Sequence, residues 1–120
     1  MNEVVTVVIL AIMMVFIDLP WLTLQGPWVQ QFVQEIQGDR PMQVRMWAGI
    51  PVYLALGYLV TQAKSAPRAF LLGLSTYAVY DFTQVFVFDR YPLTFAIADS
   101  LWGGVLVALT WSLATRLNVL

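Results

Sequence analysis

The sequence contains no cysteine and no histidine, and only 11% of its residues are charged. Without cysteine there is no disulfide and no thiol nucleophile; without histidine as well, the usual zinc and haem ligand sets and the imidazole acid–base route are gone. Any metal would have to be a hard cation held by oxygen, and the sequence gives no reason to expect a metal or a cofactor. Soluble domains carry roughly 25% charged residues, so this chain lacks the polar surface to cover a water-soluble core. The net charge is -1 and no basic run occurs, which gives no reason to expect nucleic acid as a partner.

What the chain has instead is apolar length. Its 120 residues, one domain's worth, are 60% hydrophobic with a mean hydropathy of +0.75. This composition reads as a polytopic protein whose first partner is the lipid bilayer. The start, Met1-Asn2-Glu3, lacks the positive charge of a signal peptide, and no small-residue cleavage site follows the apolar run, so the first stretch reads as a retained span. About 20 apolar residues cross the hydrocarbon, and four stretches qualify: residues 4–24, 42–62, 69–88 and 93–113. The expected fold is an all-α integral membrane bundle of four helices. Between the first two spans Gly26-Pro27 reads as a break. It is followed over 27–37 by a short amphipathic helix in the interface, where Trp28, Phe32 and Val33 alternate with Gln30, Gln31, Gln34 and Glu35. Pro51 is expected to bend the second span. Gly49, Tyr53 and Gly57 share one of its faces, and Ser100, Gly104, Ala108 and Ser112 form a small-residue stripe on the fourth span; both allow close helix approach.

Three aspartates interrupt these apolar runs: Asp18, Asp81 and Asp99. In an antiparallel four-span arrangement each lies roughly 9–10 Å below the same membrane face at 1.5 Å per residue. Arg45 begins the second span at that face, and its long side chain is expected to reach inward. The predicted pocket therefore holds Asp18, Asp81, Asp99 and Arg45, walled by Trp21, Tyr77, Tyr80 and Trp102, with Gln84 on the Asp81 face of the third span. An aspartate at the centre of a spanning helix costs about 2.5–3.5 kcal/mol on insertion scales, so such groups face the interior and find partners. Three carboxylates with one guanidinium leave excess negative charge. Either protons stay on one or two of them at neutral pH, or a cation or amine occupies the site. The other reading is a structural knot of hydrogen bonds holding the helices together, and the sequence leaves both open. If Arg45 lies in the membrane, the remaining arginines and lysine favour both termini on the cytoplasmic side of a bacterial-type inner membrane.

Asp18-x-x-Trp21-Leu22, Tyr80-Asp81-Phe82-Thr83 and Asp99-x-x-Trp102-Gly103 together resemble a family of small four-span membrane proteins, mostly bacterial, over nearly the whole chain. The family's third-span motif more usually reads Tyr-Asp-Leu-Thr-Asn; here Phe82 and Gln84 stand in place of the leucine and asparagine. The resemblance implies the four-span fold and draws attention to these residues, and it brings no substrate with it.

Three functions compete. The first is a site that binds or passes a proton, a cation or a small cationic solute, in a chain that oligomerises through the stripe on its fourth span. The second is a structural or accessory subunit of a larger membrane assembly. The third is a membrane enzyme acting on lipid, since paired carboxylates do acid–base work. No nucleophile motif or phosphate loop accompanies them, so no residue is singled out as catalytic.

Overall fold

A computed structural model describes residues 1–120 and is all helical. It contains α1 (Glu3–Ile36), a short 3-10 helix (Met46–Ala48), α2 (Gly49–Gln62), α3 (Ala66–Val87) and α4 (Leu93–Arg116). Three helices, α1, α3 and α4, are each long and apolar enough to cross a bilayer. The surface has the polarity of a membrane protein: Phe86 is 89% exposed, Val4 72% and Phe16 67%, large apolar side chains that water would drive inward but lipid accepts. The interior, beside its apolar core, holds Thr6, Asp18, Asp81, Asp99, Ser100 and Thr110.

The start of α1 is capped by the Asn2 side chain, which accepts from the Val5 N–H at 2.9 Å. The helix then continues for 34 residues, through Pro20 and Pro27. This corrects the expected break at Gly26-Pro27 and the separate interfacial helix over 27–37: those residues are the last turns of α1. Each proline removes one N–H donor, a loss that neighbouring structure makes tolerable in membrane helices. Burial holds the extension in line, because Phe32 is 4% exposed and packs on Phe95 and Tyr91 rather than on lipid. At about 1.5 Å per residue α1 is roughly 50 Å long, well beyond the ~30 Å hydrocarbon. It ends in a Schellman turn: Gly38 takes φ +68°, and the Asp39 N–H reaches back to the Gln34 carbonyl at 2.9 Å.

The overshoot explains the start of the second crossing. Residues 40–45 carry no regular structure, because the chain has to return from the tip of α1 to the membrane face and extended chain covers ground at about 3.3 Å per residue. The expected helix over 42–62 therefore begins later. The 3-10 turn and α2 together cover about 27 Å, close to the hydrocarbon thickness. Pro51 lies in the first turn of α2, where its missing N–H costs nothing, so it opens this helix rather than bending it.

Short connections at Ala63–Ser65 and Phe88–Pro92 make α2, α3 and α4 successive antiparallel neighbours. The most extensive packing is α3 on α4. A Cβ at Gly73 would collide with the Gly103 carbonyl and Val107, one at Gly103 with the Tyr77 ring, and one at Gly104 with the Phe70 ring. At Gly104 the small-residue stripe of α4 is thus occupied by α3 of the same chain, whereas Ala108 and Ser112 further along it are only half-buried. Gly57 likewise admits α1 against α2, its missing Cβ lying 2.8 Å from the Val7 carbonyl, whereas Gly49 faces open space. The core is small: Leu10, Met14, Leu56, Val60, Leu106 and Val107 are its large members.

Candidate functional site

Three buried carboxyl groups lie at the end of the bundle that carries the α1–α2 and α3–α4 connections. Asp81 is 0% exposed, Asp18 4% and Asp99 9%. Burial without compensation would cost several kcal/mol for each charge, so their partners decide what they are.

Asp18 is fully partnered. Its Oδ1 accepts from the Trp102 indole N–H at 2.7 Å, and its Oδ2 accepts from the Tyr53 hydroxyl at 2.5 Å. Asp99 Oδ1 accepts from the Trp21 indole N–H at 2.8 Å. The two helices therefore exchange identical contacts: Asp18 and Trp21 on α1 meet Trp102 and Asp99 on α4. Antiparallel helices are related by a local two-fold axis, so the same Asp-x-x-Trp spacing on both lets each aspartate face the other helix's tryptophan. The two indoles stack across that axis with centroids 6.1 Å apart and planes at 26°.

Asp81 is different. Its Oδ1 accepts from the Tyr91 hydroxyl at 2.7 Å. Its Oδ2 is buried with no hydrogen-bond donor. The Asp99 carboxyl group and the Ser100 side chain are its other polar neighbours, the Ser100 hydroxyl itself donating to the Ala96 carbonyl at 2.7 Å. Tyr91 lies in the α3–α4 connection, outside the spanning helices. Burial, followed by its hydrogen bond to Asp81, pushes its phenol well above the usual range, so it remains a donor.

A layer of aromatic rings closes the site on the connection side. Phe95 is its hub: Phe32 lies 5.0 Å from it, Trp28 5.2 Å and Tyr91 6.0 Å, centroid to centroid, and Trp21 stacks on it at 6.3 Å. The α1 extension supplies Trp28 and Phe32, so its overshoot is what covers the carboxyl groups.

Of the residues singled out from the sequence, the structure brings together Asp18, Asp81, Asp99, Trp21 and Trp102. Tyr77 is half-buried beside them, its ring against Gly103. Tyr80 is 60% exposed, because it precedes Asp81 by one residue and so points about 100° away around the helix. Gln84 is half-buried and bonds to none of the aspartates. Arg45 is exposed, in the extended return outside α1, and lines a groove with apolar side chains. The expected guanidinium of the acidic site is replaced by four neutral donors, two indoles and two phenols. With Arg45 at the surface, the charge count across the two faces no longer favours either orientation of the termini.

Sequence reasoning missed Tyr53 and Tyr91 as donors, Ser100 as a neighbour of Asp81, and the ring layer. Tyr53 was visible only as part of a glycine face. Tyr91 lies in a turn, where no periodicity points.

The five principal cavities are lined by none of the three aspartates, and no carboxylate cluster has the arrangement of a metal site. What the arrangement offers chemically is two neighbouring buried carboxyl groups, Asp81 and Asp99, and four neutral donors around the three aspartates. No curated protein and no solved structure matches the chain. A family described as predicted membrane protein (DUF2177) matches residues 3–116, nearly the whole chain, and this protein belongs to it.

Proposed function

We propose that this membrane protein holds an exchangeable proton between Asp81 and Asp99, and that this pair is its working site. The observation that carries the proposal is the buried Asp81 Oδ2, which lacks a donor and has the Asp99 carboxyl group as its charged neighbour. Two neighbouring carboxylates away from water repel strongly. One proton between them removes a charge and satisfies the orphaned oxygen at once. Tyr91 joins Asp81 to the connection at the membrane face, which supports a proton route on that side. Asp18, with both oxygens occupied, serves the α1–α4 clasp instead. A cationic solute has less support, because no principal cavity reaches the carboxyl groups.

The test is infrared spectroscopy of the protein in lipid nanodiscs at neutral pH. A protonated carboxyl C=O band that shifts in D2O is expected in the wild type. It should be lost in Asp81→Asn and retained in Asp18→Asn. A wild-type spectrum with no such band would mean that every carboxyl group is ionised, and the proton site would be abandoned.

A further inference from the structure

Between α1 and the start of α2, on a surface that none of the three aspartates lines although Tyr53 does, two cavities meet at one residue. The first is a groove of about 510 Å³ between α1 and the start of α2, lined by Val8, Ile12, Val15, Leu19, Ile50 and Leu54 among others. Its α1 wall runs from Val8 to Leu22, about 21 Å at 1.5 Å per residue, which accommodates most of a fatty acyl chain. The second is a polar recess of about 340 Å³ formed by Gln37, Arg40, Pro41, Gln43 and Arg45. Arg45 lines both. No acidic residue lines either one.

The recess is built rather than incidental. Gln37 donates its amide to the Arg40 and Pro41 carbonyls, each at 2.8 Å, and Arg40 Nε donates to the Gln37 carbonyl at 2.9 Å. The turn that follows α1 is thereby tied to Gln37, the residue that caps the helix, and Arg40 shares the recess with Arg45. Both arginines belong to the segment by which the chain returns from the tip of α1 towards α2, Arg40 at its start and Arg45 at its end, and the recess brings them together at the mouth of the groove.

We propose that this composite surface seats one anionic phospholipid, with its phosphate between Arg40 and Arg45 and one acyl chain along the α1 groove. The charge of the recess matches a phosphodiester, and guanidinium pairs bind phosphate through parallel N–H bonds. The groove below is almost free of polar atoms, so it suits a hydrocarbon chain and offers nothing to a soluble anion. The inference is independent of the proton between Asp81 and Asp99.

The experiment is native mass spectrometry of the full chain in mild detergent, with phosphatidylglycerol and phosphatidylcholine of identical chains in equal amounts. The wild type should retain one phosphatidylglycerol with a preference of about tenfold, the scale expected of two basic groups at a lipid surface. Arg40→Gln/Arg45→Gln should lose the preference, while Arg40→Lys/Arg45→Lys, which keeps the charge, should retain most of it. Ile12→Trp, which fills the groove from an exposed position, should weaken retention of both lipids. Equal retention of the two lipids by the wild type would overturn the proposal, as would an equal loss in Lys64→Gln/Arg68→Gln on the opposite membrane face. Displacement of the lipid by glycerol phosphate alone would reduce the site to an anion site without a role for the groove, and that too would overturn it.

Discussion

Asp18 and Asp81 are the same residue type, both buried, yet they should respond in opposite ways to replacement by asparagine. Both oxygens of Asp18 accept hydrogen bonds, from Trp102 and Tyr53. An asparagine there turns an N–H2 towards one of those donors, and the clash of donors should cost about 1–3 kcal/mol. At Asp81 the amide suits the site: its oxygen accepts from Tyr91 and its N–H2 donates to Asp99, in place of the proposed proton. Asp81→Asn should therefore unfold at the wild-type midpoint or above it in a detergent denaturation series, while Asp18→Asn unfolds earlier. Equal losses in both would remove the distinction between a clasp residue and a proton-holding one. This contrast was not legible in the sequence. A lone aspartate in an apolar run announces itself, and so does a repeated Asp-x-x-Trp spacing. The donors that separate the two cases do not, because Tyr53 and Tyr91 occupy positions with no unusual pattern. Arg45 was misjudged for a related reason: its role depended on where α2 begins, and a helix start is fixed by the path of the preceding chain.

Among the helices, the glycines divide into those that admit a neighbour and those that do not. Gly73 sits against the Gly103 backbone, and a Cβ there meets a carbonyl that belongs to a packed helix and cannot turn aside. Gly73→Ala should force α3 and α4 apart and cost about 1–3 kcal/mol, the range for overpacking. Gly26 lies in the middle of α1 with no atom of another helix within 4 Å of an added Cβ. Gly26→Ala should be close to neutral, because the gain in helix propensity, about 0.5–1 kcal/mol, is offset by crowding of the new Cβ against the Pro27 ring. Unfolding midpoints in the same detergent series would check both, and a stabilising Gly73→Ala would contradict the close approach of α3 and α4. The sequence pattern foretold the small-residue face of α4 but not its occupant. Small residues permit contact without naming the partner, and at Gly104 the short α3–α4 connection brings in Phe70 of α3. Gly26-Pro27 misled for the complementary reason. Local propensity favours a break there, but Trp28 and Phe32 gain ring contacts with Phe95 only if α1 continues.

At the scale of the molecule, the decisive matter is how many times the chain crosses the bilayer. Length and hydropathy qualify α1, α3 and α4, while α2 is a helix of 14 residues. The packing of α2 against α1, through Gly57 and the buried Leu56 and Val60, places it alongside the other helices, as a fourth crossing requires. The absence of cysteine allows a direct test, because any introduced cysteine is the only one. With four crossings, Lys64→Cys and Asn118→Cys should react with a membrane-impermeant maleimide from one side of sealed vesicles, and Gln34→Cys and Asp89→Cys from the other. If α2 did not cross, Lys64→Cys would instead label from the side of Gln34→Cys, and the antiparallel bundle would be wrong. The same set measures the overshoot of α1. Gln34 lies sixteen residues beyond Asp18, about 24 Å along the helix axis, so it should label as fast as a loop position, whereas Phe16→Cys, exposed to lipid alone, should not label at all. Slow labelling at Gln34 would return the end of α1 to the interface and take with it the ring layer that closes the carboxyl site from water.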